Sequence, residues 1–197
     1  QTVVYTYPQY GNYIVTLVVS NDLGCTDTLK KAIIVGDKPS IYLTSDTLVC
    51  SGDKVQLNAG GTGSCSWSPN YNISNTGVSN PLVSPDVPTR YTVTLTQSPG
   101  CINIASVFVD VKTFVTLKAG ADTTICLGDS ILLRPVSDGV NYQWSPAATV
   151  SNPSAKNVWA RPTQTTRYSV LATIGKCQAN DGFVVTTVPY PKANAGL

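Results

Sequence analysis

The sequence contains no histidine and no methionine in 197 residues, and only 12% of its residues are charged. Without histidine, neither a Ser/His/Asp nor a Cys/His catalytic centre can be assembled from this chain. Six cysteines are present, but with no histidine beside them and no CxxC pair they lack the closely spaced ligands of a structural zinc site. The expectation is therefore no catalytic residue, no bound metal and no cofactor. Basic residues are scattered, with Lys30 and Lys31 the one adjacent pair behind a formal charge of +2. No electropositive stripe exists to follow phosphates, so nucleic acid is excluded as an expected partner. No run approaches the roughly 18 apolar residues that a membrane-spanning helix needs. Gln1 is followed by neither a basic nor an apolar leader region. The expectation is a soluble piece without a membrane span, lying beyond any export signal.

What the sequence does have is Thr, Ser, Val and Gly in abundance and 13 prolines that punctuate it at short intervals. That is the profile of an all-β protein with many turns. Cysteines that suit neither zinc nor nucleophilic chemistry are best read as disulfide partners. They place the protein in an oxidising compartment, meaning the periplasm, a cell surface or the medium.

The strings SDTLVCSGDKVQL and ADTTICLGDSILL match at an offset of 76 residues, carrying Asp46, Cys50, Gly52, Asp53 and Leu57 onto Asp122, Cys126, Gly128, Asp129 and Leu133. At an offset of 77, Trp67-Ser68-Pro69 falls on Trp144-Ser145-Pro146 and Thr89-Arg90-Tyr91 on Thr166-Arg167-Tyr168. GNYIVTLVVSNDLGC near the start repeats the pattern of TRYTVTLTQSPGC, and Ala195-Gly196 repeats Ala119-Gly120. The expected organisation is the last half of a sandwich at 1–36, full modules at 37–113 and 114–190, and the start of another at 191–197.

Each full unit reads as short strands between turns. In the first, Ile41 to Val49 is strand A, Ser51-Gly52-Asp53 a tight turn, and Val55 to Leu57 strand B with two-residue alternation. Trp67 marks strand C, the Pro81 to Pro88 stretch supplies edge strands and bends, Tyr91 to Thr96 is strand F, and Ile104 to Val111 is strand G. Short strands at this spacing around a Trp on strand C indicate tandem Ig-like β-sandwich modules in an elongated end-to-end array. Trp67 and Trp144 are expected in the cores. Tyr13, Tyr91 and Tyr168, each opening strand F, are expected to hydrogen-bond back to the chain. Trp159 aligns with Leu82, which favours an inward position, while its neighbour Arg161 leaves open a role in stacking on a sugar ring.

Strands of a sandwich alternate in direction, so the A–B turn and the F–G turn lie at opposite ends of a module, about 20 Å or more apart. A disulfide needs Cα atoms roughly 4.4 to 6.8 Å apart. Pairing Cys50 with Cys101, or Cys126 with Cys177, within a module therefore fails on distance. In modules strung end to end, the A–B turn of one faces the F–G turn of the next, so Cys50 is expected to bond Cys177. Cys65, near the start of strand C, is expected to reach Cys101, and Cys25 and Cys126 to find partners in further modules. The acidic residues suggest little chemistry: Asp53 and Asp129 follow Gly in turns, and Asp46 and Asp122 precede Thr at strand edges. Asp46, Asp53 and Asp122 could ligate calcium at a junction, but no Asp-rich loop of calcium-binding type is present.

The segment YTYPQYGNYIVTLVVSNDLGCTDT resembles the end of a PKD domain, whose G-x-Y-x-V-x-L strand precedes an N-G-C ending. The C-x-G-D, W-S-P, T-x-R-Y and late-Cys motifs of the full units resemble the Ig-like modules found in tandem in very large surface proteins of Bacteroidota. Those proteins include gliding-motility adhesins and multidomain hydrolases carried by type IX secretion. The resemblance implies a scaffold, and a disulfide staple across each junction of two and a half modules about 30 Å long makes the expected reading a stiff, non-catalytic stalk or spacer of a secreted cell-surface adhesin or filament, spanning about 80 to 100 Å. The alternative is a carbohydrate-binding accessory region of a secreted polysaccharide hydrolase. Neighbouring modules of the same long chain are the expected partners, with surface polysaccharide or the secretion and motility machinery as further candidates.

Overall fold

Alternating apolar and polar residues, broken by Gly, Pro and Asn, fold into short ladders, most of them antiparallel, along the described residues. The computed structural model describes residues 2–98 and 100–193. Pro99, in the expected F–G hairpin turn, and residues 194–197, which include Ala195-Gly196 and most of the expected fourth segment, lie outside the described residues. Among the described residues the one helical segment is a single 3-10 turn, Ala147–Thr149, so the fold is all-β. It divides into two compact units, Gln1–Asp46 with Val55–Val83 and Arg90–Phe108, and Thr47–Lys54 with Ser84–Thr89 and Val109–Leu197.

The strands in chain order begin with β1 (Gly11–Ser20), β2 (Thr26–Val35), β3 (Tyr42–Leu43), β4 (Thr47–Cys50), β5 (Val55–Gln56), β6 (Ala59–Gly60) and β7 (Ser64–Ser68). There follow β8 (Leu82–Val83), β9 (Thr89–Gln97), β10 (Cys101–Lys112), β11 (Leu117–Lys118) and β12 (Thr123–Cys126). The remainder are β13 (Ile131–Leu133), β14 (Val136–Ser137), β15 (Asn141–Ser145), β16 (Val158–Ala160), β17 (Thr166–Ile174) and β18 (Cys177–Val188).

In the first unit, β1 and β2, ten residues each, form a hairpin whose Ile14, Leu17, Val18, Leu29 and Ile34 are all exposed. Beyond it, β9 lies between β7 and β10 in one sheet, while β3 pairs with β6 and β5 with β8 in two separate two-stranded ladders. Leu57, Trp67, Val83, Tyr91, Val93, Leu95 and Val107 are buried. Strand B alternates as its sequence requires: Lys54 and Gln56 are exposed and Leu57 is buried.

In the second unit, β12, β18, β17 and β15 form a four-stranded sheet in that order, with β12 parallel to β18. The facing ladders are β13 with β16 and β11 with β14. Leu133, Trp144, Val158, Ala160, Tyr168, Val170, Phe183 and Val185 pack together in one buried cluster. Fully burying an aliphatic or aromatic side chain contributes about 1.5–3 kcal/mol, so each member of this cluster adds materially to the unit's cohesion. In the same unit, β4 runs parallel to the end of β10, with Thr47 opposite Val109 and Cys50 opposite Lys112. The parallel pairing of an early strand with the last, followed by strands F and C, gives an Ig-like sandwich order in each repeat.

Strand A is not the single run Ile41 to Val49. Tyr42 and Leu43 pair with β6, whereas Thr47 to Cys50 pair with β10. Asp46 makes the change of sheet possible: its Oδ1 accepts the Phe108 N–H at 2.7 Å, just before the parallel ladder starts at Val109. Asp122 does the same for Val184 at 2.7 Å, just before Val185 opens its ladder. These repeated aspartates satisfy strand N–H groups that would otherwise lose their partner at the switch.

Candidate functional site

Cys50 and Cys177 form a disulfide with a Cα–Cα distance of 5.4 Å across a sequence separation of 127 residues. Cys50 ends β4 and Cys177 opens β18, and the two sulfurs sit in an apolar shell with Val115, Ala172 and Ile174. The turn after Cys50 is set by Gly52, whose φ of +80 suits glycine, and is closed by Asp53 N–H donating to the Cys50 carbonyl at 2.9 Å. Asp53 Oδ2 accepts N–H groups from Cys50 at 3.3 Å and Lys176 at 3.1 Å. Lys176 Nζ lies 3.7 Å from Asp53 Oδ1 and donates to the Gly52 carbonyl at 3.3 Å. The Lys176 side chain is largely exposed, so its ion pair adds little; the backbone bonds to the carboxylate fix the geometry. Gly175 has φ +51, and a Cβ there would overlap Asp53 Oδ2, so glycine is required for this approach.

The second repeat carries the same turn in another state. Asp129 N–H donates to the Cys126 carbonyl at 3.1 Å and Gly128 has φ +99. Here the Asp129 carboxylate takes the Tyr190 hydroxyl at 2.6 Å, which raises the Tyr190 pKa, and Cys126 is a free, half-buried thiol. Cys25 is free and exposed.

Cys65 and Cys101 do not pair; both are free thiols. Cys65 sits on β7 opposite Leu95 of β9, and Cys101 opens β10 on the far side of β9. Two strand spacings of about 4.8 Å put them roughly 9–10 Å apart or more, beyond disulfide reach. Burial pushes the Cys65 thiol above its ordinary pKa, which further quiets it.

The aromatic residues divide into two sets. Trp67 and Trp144 are 3% and 1% exposed, and their indole N–H groups donate to the carbonyls of Val78 at 2.8 Å and Ala155 at 3.1 Å. Tyr91 and Tyr168 are fully buried; Tyr91 donates to the Tyr71 carbonyl at 2.8 Å, and the Tyr168 hydroxyl meets Thr149 Oγ1 at 2.7 Å. Tyr13 hydrogen-bonds back to the chain as expected, but in different surroundings from Tyr91 and Tyr168. It is half-buried, bonds Gln9 four residues back at 2.8 Å, and packs on Tyr7 because the β1–β2 hairpin has no core around it.

Trp159 departs from the favoured inward position: it is 55% exposed. Strand alternation explains this, because Val158 and Ala160 take the inward positions on β16 and Trp159 between them must face out. Beside it a cleft of ≈ 390 Å³ is lined by Trp159, Arg161, Ser130, Thr149 and Ser151 among others. Among the described residues no group of three or more His, Cys, Asp or Glu side chains could hold a metal ion, and no helix is long and apolar enough to cross a membrane.

No family model matches the chain, and no curated protein does. Solved structures to which it is similar are tandem Ig modules. The N-terminal Ig1-2 module of the Drosophila receptor protein tyrosine phosphatase DLAR is 12% identical, with a TM-score of 0.33, over 77% of this chain and 100% of that one. Titin Ig tandem domains A164-A165 are 12% identical, with a TM-score of 0.34, over 77% and 97% of the respective chains. Sidekick-1 immunoglobulin domains 1-5 are 13% identical, with a TM-score of 0.38, over 94% of this chain and 47% of that one. At such values nothing about function follows from the likeness, and the Ig-like assignment rests on the strand order itself.

Proposed function

We propose that this chain is a non-catalytic spacer segment of a secreted cell-surface adhesin or filament, built from modules at 37–113 and 114–190 after a half-module at 1–36. The Cys50–Cys177 disulfide carries the proposal. On those limits it ties one module to the next, and it encloses Trp67, Tyr91, Trp144 and Tyr168, the aromatic residues of both cores, between its two ends. A pull on the chain termini then passes from β4 through the disulfide into β18 and bypasses every residue in between. Such a connection keeps a stalk short under load even when a core opens.

The exposed apolar hairpin β1–β2 supports reading 1–36 as the closing half of a PKD-like sandwich whose other sheet precedes it in a longer chain. Reuse of the same turn at Cys126 supports reuse of the same staple. On that rule Cys126 bonds the late cysteine of a following module, and Cys101 and Cys25 bond the early cysteines of modules before them. Cys65 then stays a strand thiol. The motif resemblance to large Bacteroidota surface proteins makes type IX export and gliding-type adhesion the specific setting of this proposal.

Single-molecule extension of the 197-residue chain tests it. Under oxidising conditions the 127-residue segment between the linked cysteines stays hidden from force. Reduction is expected to add its contour, roughly 420–460 Å at 3.3–3.6 Å per residue. Full extension without reductant would overturn the load-bypass reading.

A further inference from the structure

We infer that the Trp159 cleft is a binding subsite for an acidic pyranose within a polysaccharide chain, with the Trp159 ring as stacking platform and Arg161 as carboxylate receptor. This goes beyond the spacer role and does not depend on it.

The two repeats supply an internal comparison. In the first, Leu82 N–H donates to Ser74 Oγ at 2.9 Å and Ser74 N–H returns to the Leu82 carbonyl at 2.9 Å. In the second, Trp159 N–H donates to Ser151 Oγ at 3.1 Å and Ser151 N–H returns to the Trp159 carbonyl at 2.8 Å. The backbone frame is the same, and the outward side chain has changed from a half-buried leucine to a tryptophan more than half exposed. Two residues on, Ser84 is replaced by Arg161. The scaffold therefore has no need of Trp or Arg at these positions.

The backbone beneath the platform is held by hydrogen bonds. Trp159 is paired with Leu132 across the β13–β16 ladder, and Arg161 N–H donates to the Thr149 carbonyl at 2.8 Å. Arg161 Nε donates to the Gly128 carbonyl at 3.0 Å, which fixes the guanidinium at the cleft while the residue stays exposed. An exposed indole face suits the apolar face of a sugar ring, and Ser130 adds a hydroxyl for sugar hydroxyl groups. Among the described residues that line the cleft, Arg161 is the one charged side chain and no acid accompanies it. Charge complementarity selects a carboxylate-bearing sugar, which a guanidinium can grip in bidentate fashion.

The test is titration of the intact chain with an oligogalacturonate, read at the indole N–H signals in two-dimensional NMR, against a neutral cello-oligosaccharide of equal length. The indoles of Trp67 and Trp144 are buried and hydrogen-bonded, so the Trp159 signal is the site's own reporter. The expected result is a saturable shift that among the indoles is confined to Trp159, and, read by isothermal titration calorimetry because these variants lack that indole, at least about tenfold weaker binding in Trp159→Leu and retained binding in Trp159→Tyr. Arg161→Ser, which installs the first repeat's residue, is expected to cost about tenfold for the acidic chain and to leave the neutral chain unchanged. Unmoved Trp67 and Trp144 signals in each variant establish that it is folded. Absence of any Trp159 shift, equal binding of the neutral chain, or Trp159→Leu binding as well as the parent would overturn the inference. So would shifts that arise only from self-association.

Discussion

At the residue scale, each repeat is organised by one tryptophan and one tyrosine whose polar atoms are matched before they are buried. Trp144 is 1% exposed, and its indole is hydrogen-bonded to Ala155. Trp144→Ala is expected to cost about 3–5 kcal/mol, read by denaturant unfolding, because the cavity adds to the lost burial. Trp67→Ala is expected to behave alike in its own repeat. Tyr91 offers a pH signature. Burial, helped by nearby Tyr71, pushes its pKa up from 10.0 to about 12. A raised folded pKa means that the phenol's contribution is intact below about pH 10 and disappears as pH climbs through about 12. In an alkaline ultraviolet titration Tyr91 is expected to ionise only together with unfolding, and Tyr91→Phe to remove that step. An early, independent ionisation would contradict the buried placement.

At the element scale, aspartates settle where strands change partners. Asp46 and Asp122 occupy the switch from one sheet to the other, and Asp181 receives the N–H groups of Ala119 at 2.8 Å and Gly182 at 2.8 Å. Those bonds, first from Ala119 and then from Gly182, hold the Asp181 carboxyl below its usual pKa. Asp138 is lowered by the hydroxyl and then the N–H of Thr116. For a depressed carboxyl the stabilising contribution is full above the unfolded value of about 3.9 and is lost as pH falls through the lower folded value. Denaturant stability is therefore expected to decline in acid below about pH 4, and Asp138→Asn with Asp181→Asn to flatten that decline. A parent and double variant with the same acid profile would show that these bonds do not hold the β11 region in place.

At the scale of the whole molecule, the long-range covalent link dominates. Closing a loop of 127 residues restricts the unfolded chain by about 4–5 kcal/mol on the entropic account. Cys50→Ala with Cys177→Ala is expected to lower the thermal midpoint measured by calorimetry, while Trp67 and Trp144 keep their buried fluorescence at room temperature. Loss of that fluorescence on reduction alone would mean that the cores need the staple to form. Peptide mapping without reductant is expected to recover Cys50 linked to Cys177 and to find Cys65 and Cys101 unlinked.

The sequence by itself determined the repeat, the all-β class, the inward tryptophans and the Cys50–Cys177 bond. These follow from local periodicity, from matched strings, and from the fact that opposite ends of a sandwich are too far apart for a disulfide. Strand order and facing were decided only by tertiary structure. Cys65 and Cys101 looked like neighbours along the chain's logic of strands C, F and G, but β9 stands between β7 and β10 and separates them. Trp159 aligned with an apolar residue, yet alternation on a three-residue strand turned it outward, since Val158 and Ala160 already fill the core side. Tyr13 carries the same motif as Tyr91, but a motif buries its tyrosine only where a second sheet closes over it. Pattern in one dimension fixes which residues can be inside; which of them meet is set by the order in which strands pair, because hydrogen-bonded neighbours lie about 4.8 Å apart and a single intervening strand doubles that distance.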